Sequence, residues 1–246
     1  VNLPTHLPSK FKLMEGKVCS PKDWESVIAT DSINKSDEQP VLIICDNITN
    51  VDQIKEQIDK ICTEGNIQKN VILYKDEKDN LTEALENRKH IGATKHDIII
   101  ATNKGGRGTD IPINIEAAPK GLHVFLSYMP SNLRIEQQAF GRAARNGEPG
   151  SGSFIIPIEN LSDEVPQLQI ERMIMERDEK EQIRVQIIQE KNLPQVEIKE
   201  ELLNQFNSIV KFAMGTLNSR KIDKDLQDVC LTILNHRWAF WLESVK

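Results

Sequence analysis

Short apolar runs recur through residues 40–158, and each is followed by an amphipathic or charged stretch. Val41-Leu42-Ile43-Ile44-Cys45 follows Pro40 and is too short for a helix, so it fits a strand buried on both faces. Val51, Ile54, Ile58 and Ile61 come next at helical spacing and predict an amphipathic helix over that strand. The same alternation predicts strands at Val71–Tyr74, Ile98–Ala101, Val124–Ser127 and Phe154–Ile158. Between them fall a charged surface helix over Lys75–Lys89 and a helix from about Asn132 to Arg145. Upstream, Leu3–Pro8 carries two prolines and predicts an extended lead-in, while Ser20-Pro21 predicts a helix start with Ser20 as N-cap, running to about Asn34. Strands alternating with helices in this way imply an α/β fold, a parallel sheet with helices on both faces. Sheets of that kind bind ligands at the loops leaving the carboxyl ends of their strands.

Beyond Ser162 the strand-like runs stop. Leu168, Met173, Ile174, Ile183, Ile187 and Ile188 lie in a long charged helix expected to break near Pro194. Ile198 to Ala213 and Ile222 to Phe240 predict two more helices. The chain therefore divides into an α/β domain, 1–161, and a mainly helical appendage, 162–246. Trp238 and Trp241 close it, either as packing anchors or as an exposed patch for a partner.

Composition narrows the function classes. A net charge of −6 argues against a generic basic face for nucleic acid. No apolar run approaches the ~20 residues that span a bilayer. Cys19, Cys45, Cys62 and Cys230 are scattered without metal-ligand spacing, so they read as reduced thiols in a cytoplasmic type of protein. The five histidines show no ligand spacing either, and each reads as a surface or cap residue. No metal site is expected. Val1-Asn2-Leu3-Pro4 has no initiator Met and no signal-like segment, and reads as the start of a piece of a longer protein.

Two motifs carry chemistry. The first, Ala101-Thr102-Asn103-Lys104-Gly105-Gly106-Arg107-Gly108-Thr109-Asp110-Ile111, directly follows a strand. Its glycines let backbone approach a ligand closely, Arg107 offers a fork of donors for phosphate, and Asp110 offers an acceptor for a ribose hydroxyl or an arginine. Taken alone, a glycine-rich turn closed by an Arg–Asp pair would look the same. The second runs from Arg134 to Gly150 and includes Gln138, Gly141, Arg142, Arg145 and Gly147. A helix through Arg145 would place Gln138, Arg142 and Arg145 on one face, as a clamp for a polyanion. A solvated basic stripe is the plainer alternative, although Gly141 and Gly147 are costly in a helix and suggest the close approach of another surface.

In this order the two motifs resemble motifs V and VI of superfamily-2 helicase-type motors. More narrowly, A-T-N-x-x-G-R-G-T-D-I followed by R-I-E-x-Q-x-x-G-R-x-x-R-x-G-E-P-G is similar to the preprotein translocase ATPase SecA. Leu3–Pro8 resembles the proline-bearing entry to the second nucleotide-binding domain of that family, and Gln39–Leu42 its motif IV strand. The sequence departs at Lys104-Gly105, where the family has Met-Ala, and at Ala144, where it has Gly. The resemblance implies a RecA-like second lobe. It implies that Arg142 and Arg145 act as catalytic arginine fingers, with Gly106, Arg107, Gly108, Asp110 and Gln138 binding nucleotide. It also implies ATP and Mg²⁺ held by a first lobe, a polypeptide substrate or protein partner, and a cytoplasmic protein that is peripheral to a membrane if it is a working translocase.

The sequence has no G-x-x-x-x-G-K-[ST] and no apolar strand ending in Asp-Glu. ATPase activity is accordingly expected only together with a first lobe, and none from this chain alone. Two other readings stay open: the C-terminal lobe of an RNA or DNA helicase, and a catalytically lapsed scaffold for protein contacts. Asn103, Thr109 and the acidic balance count against the helicase reading.

Overall fold

Five consecutive apolar residues can all be buried in one strand only if the sheet is covered on both faces. That arrangement is present in the computed structural model, which describes residues 10–74, 92–103 and 111–244. The first elements are β1 (Lys10–Leu13), β2 (Lys17–Cys19), α1 (Trp24–Ser36), β3 (Val41–Cys45), α2 (Ile48–Gly65) and β4 (Asn70–Tyr74). They are followed by β5 (Asp97–Thr102), β6 (Leu122–Leu126), α3 (Leu133–Phe140) and β7 (Pro149–Pro157), and then by α4 (Pro166–Ile187), α5 (Leu193–Ser219) and α6 (Lys224–Ser244). The sheet runs β1-β7-β6-β3-β5-β4, with β2 also on β7, and all these pairings are parallel.

Strand alternation divides the core in two. Val41, Ile43, Cys45, Ile98 and Ile100 point to the face covered by Trp24, Ile28 and Ile33 of α1 and by Val51, Ile54 and Ile58 of α2. Leu42, Ile44, Ile99, Val124 and Phe154 point to the other face, against Ala139 and Phe140 of α3 and Ile170 of α4. Each fully buried Val, Leu or Ile contributes roughly 1.5–3 kcal/mol. Trp24 satisfies its buried indole N–H by donating to the carbonyls of Ser127 (3.1 Å) and Ile155 (3.3 Å), which ties α1 to the ends of two strands.

Several details differ from the sequence expectation. Helix α1 begins at Trp24 with Asp23 in the cap position; Ser20 instead accepts the Asp23 N–H in a preceding turn. Strands β1 and β2 had no apolar signature, because they are short strands on the outer side of β7, and β1 is mostly exposed. Strand β7 starts at Pro149, well before the expected Phe154. The expected surface helix over Lys75–Lys89 and the lead-in at Leu3–Pro8 lie outside the described residues.

The chain divides into two compact units, Val1–Glu179 and Lys180–Lys246. The first retains the start of α4, where Gln169, Ile170 and Arg177 are buried and Gln167 accepts the Gly16 N–H at 3.2 Å. In the second, a wider π-type turn at Ile188–Asn192 precedes α5. Pro194, in the first turn of α5, lacks the N–H that a continuous helix would use. Helices α5 and α6 are joined by the stacked rings of Phe206 and Trp238 at 4.6 Å, with Trp241 5.1 Å from Trp238. Among the described residues no helix is long and apolar enough to cross a membrane.

Candidate functional site

Helix α3 starts where Asn132, in extended conformation, accepts the Ile135 N–H on its side-chain oxygen at 3.1 Å. It ends at Phe140, not at Arg145 as the spacing had implied. Successive N–H groups of Arg142 and Ala143 bond three residues back, to Ala139 and Phe140, and tighten the last turn. Ala144 then takes a left-handed conformation (φ 56°), and a short 3₁₀ turn, Arg145–Gly147, leads into β7. Gln138, Arg142 and Arg145 therefore do not share one face of a single helix. Gln138 is exposed on the last turn of α3, and the two arginines are half-buried on the turn that follows. Arg145 Nε donates to the Gly141 carbonyl at 2.9 Å, which braces the turn across its own mouth.

The turn packs on the amino-terminal end of β7. A Cβ on Gly150 would stand 2.9 Å from the Cβ of Ala143, and Gly150 pairs with Leu122, the first residue of β6. The expectation of a ligand loop at the carboxyl ends of the strands thus fails for these two arginines, because α3 runs back along the sheet before the turn begins. The glycine motif does start at a carboxyl end: Asn103, just beyond β5, donates its N–H to the Cys45 carbonyl at 3.0 Å. Its site residues Gly106, Arg107, Gly108 and Asp110 lie outside the described residues. The chain is described again from Ile111, where Pro112 accepts the Ala93 N–H at 2.7 Å.

Two groups escaped the sequence reading. Glu136 of α3 meets Arg177 of α4, Oε2 to Nη1 at 2.6 Å, with side chains 16% and 6% exposed. Arg177 also bonds Asp178 through Nε at 2.8 Å. Burial would lower the Arg177 pKa, but the bonds to Glu136 and Asp178 outweigh it and raise the pKa above the ordinary arginine value. A lone Arg within a run of charged residues gives no sign that it is buried. His123 is the second. Far from being a surface or cap residue, it is buried in β6, its ring nitrogens 2.8 Å and 3.3 Å from the hydroxyls of Ser151 and Ser153. Burial, helped by the charge of Lys35, lowers its pKa to about 3.

The chemistry of the turn is cationic, which suits a polyphosphate and not a divalent cation. Among the described residues no group of three or more His, Cys, Asp or Glu is placed to hold a metal ion.

The model of the helicase conserved C-terminal domain matches residues 24–147, half of the chain. Protein translocase subunit SecA 2 of Nitrosospira multiformis is 31% identical over 138 residues, 56% of this chain and 19% of that protein. Protein translocase subunit SecA of Phocaeicola vulgatus is 31% identical over 166 residues, 65% of this chain and 14% of that protein. Protein translocase subunit SecA 3 of Magnetococcus marinus is 48% identical over 67 residues, 27% of this chain and 10% of that protein. The chain spans about a fifth or less of the length of these curated relatives.

Proposed function

The chain belongs to the helicase conserved C-terminal domain family, and on that premise we propose that it is the second RecA-like lobe of a SecA-like, ATP-driven motor that acts on a polypeptide. Domains of this family pair with a first RecA-like lobe, and in this reading that lobe holds ATP and Mg²⁺. When bound, Mg-ATP supplies the phosphoanhydride to be cleaved. Arg142 and Arg145 serve as arginine fingers, and Gln138 orients towards the nucleotide from the preceding turn. Gly106, Arg107, Gly108 and Asp110 complete the nucleotide face from the glycine motif.

One observation carries the reading: a cationic turn, braced by its own Arg145–Gly141 bond and seated on β7, is preorganised. Fixed guanidinium groups stabilise charge that develops on a transferred phosphoryl group without reorganising at the moment of reaction. Hydrolysis closing and opening the cleft between lobes would then drive the polypeptide partner.

The test is steady-state ATPase of the protein carrying both lobes, with ATP well above KM. Arg145→Ala is expected to lower kcat at least ~100-fold, about 2.7 kcal/mol of transition-state stabilisation. Arg145→Lys is expected to recover only part, since a point charge does not reproduce a planar fork. Parental rates in Arg145→Ala would sink the finger assignment. An inactive parent would favour the lapsed scaffold instead.

A further inference from the structure

We infer that Arg177 is a positioning residue for the arginine-bearing turn and acts through Glu136. The inference rests on the reading of that turn as the nucleotide-facing element.

Helix α3 has eight residues, too few to be stable by itself, so its orientation is set by what it packs against. Glu136, Ala139 and Phe140 lie three and four positions apart and share one face. Ala139 and Phe140 are buried, with the Phe140 ring against Phe11 at 5.6 Å and Phe154 at 5.1 Å. Glu136 therefore faces inwards with them, and its carboxylate is met by the guanidinium of Arg177. The apolar contacts fix how deep α3 sits; the directed ion pair fixes its rotation about its own axis, as a charged hydrogen bond has a geometry that dispersion contacts lack. The turn inherits that rotation. Gly141, Arg142 and Ala143 are bonded by their N–H groups to Gln137, Ala139 and Phe140 in turn, so the backbone that presents Arg142 and Arg145 is continuous with α3. Removing Arg177 leaves a partly buried Glu136 carboxylate without its partner, and α3 would have to turn to bring it fully to water.

The experiment uses the protein with both lobes and the variants Arg177→Met, Arg177→Lys and Arg177→Met/Glu136→Gln. Arg184→Ala serves as control, since Arg184 is 69% exposed on the same helix. Two quantities are read: hydrogen exchange of amides 141–148, and kcat against KM for ATP. Arg177→Met is expected to speed exchange in that segment about 10-fold and to lower kcat about 10-fold, with KM changed less than about two-fold. Arg177→Lys, which keeps the charge on Glu136, and the double variant, which removes the stranded carboxylate, are each expected to recover most of both losses. If Arg177→Met fails to fold, the lysine and double variants still decide: in either, exchange about 10-fold faster than in the parent overturns the inference. Unchanged exchange in a folded Arg177→Met overturns it as well, and so does a kcat loss no larger than the loss of folded protein. An inactive parent with faster exchange in Arg177→Met would leave the positioning role intact and count against the motor reading alone.

Discussion

A Cβ on Gly150 would stand 2.4 Å from the amide nitrogen of Ala144, so strand and turn meet there backbone to backbone. The contact holds Ala144 in a left-handed conformation, φ 56° and ψ 35°, that costs an L side chain roughly 1–2 kcal/mol. The SecA motif that this segment resembles has glycine at that position.

Ala144→Gly is therefore expected to stabilise the protein. Relief of the left-handed penalty outweighs the greater freedom of glycine in the unfolded chain by about 0.5–1 kcal/mol. Thermal unfolding should show a midpoint raised by about 1–4 °C; a lowered midpoint would mean that the methyl group contributes packing that outweighs the strain.

Gly121 joins the approach to β6 with φ +68°, and a Cβ there would fall 1.8 Å from the Pro149 carbonyl oxygen. Gly121→Ala meets both a backbone penalty and a collision with main chain that has no rotamer to yield. It is expected to cost about 3 kcal/mol or more by urea unfolding. A cost below about 1 kcal/mol would show that β6 and β7 can separate at that end without loss.

The burial of His123 gives stability a definite pH dependence. Its folded pKa is depressed to about 3 from the ordinary 6.5, so between those values the unfolded chain binds the extra proton. Stability is thus fully present above pH 6.5 and falls as pH drops, by about 1.4 kcal/mol per pH unit from this group. The carboxylates of Asp37 and Glu38, held by the Lys69 and Lys120 hydrogen bonds below their ordinary values of 3.8 and 4.5, titrate lower, which leaves pH 5–6.5 as the diagnostic window. Denaturation series across that window should show the slope in the parent and a flatter one in His123→Asn; equal slopes would place the proton uptake elsewhere.

Nucleotide binding by this chain alone is expected to be weak, since a turn of two arginines without a phosphate-cradling loop offers few contacts. Calorimetry with ATP should find no micromolar site. An affinity of about −8 kcal/mol would reveal a phosphate site within this lobe.

Where burial leaves an apolar signature, the sequence was readable. Val41–Cys45 and Ile98–Ile100 announced central strands, and Val51, Ile54 and Ile58 announced the face of α2, whereas Pro194 marks no break: the helix continues through a π-type stretch into α5. Strands β1 and β2 were illegible because an edge strand, with Lys10, Lys12 and Lys17 exposed, needs no apolar pattern. The end of α3 was misjudged because the spacing of Arg142 and Arg145 also fits a helix, and only contact with Gly150 dictates the turn. Of the candidate site, Gln138, Arg142 and Arg145 were legible as one stretch of sequence but not in their arrangement, since the helix ends before the two arginines. Glu136 and Arg177 were not, since charged side chains reveal burial only through a partner distant in sequence.

The pairing of β1 with β7 also bears on how the chain is made. Lys10 pairs with Pro149 and Leu13 with Gly152, so β1 must wait during synthesis for β7, far along the chain, before it can pair. At ~5–20 residues per second, synthesis of the intervening chain takes on the order of ten seconds. Within β1, half-buried Phe11 is flanked by the exposed Lys10 and Lys12. Exposed lysines on an edge strand are charges of the kind that discourage pairing with a neighbouring chain.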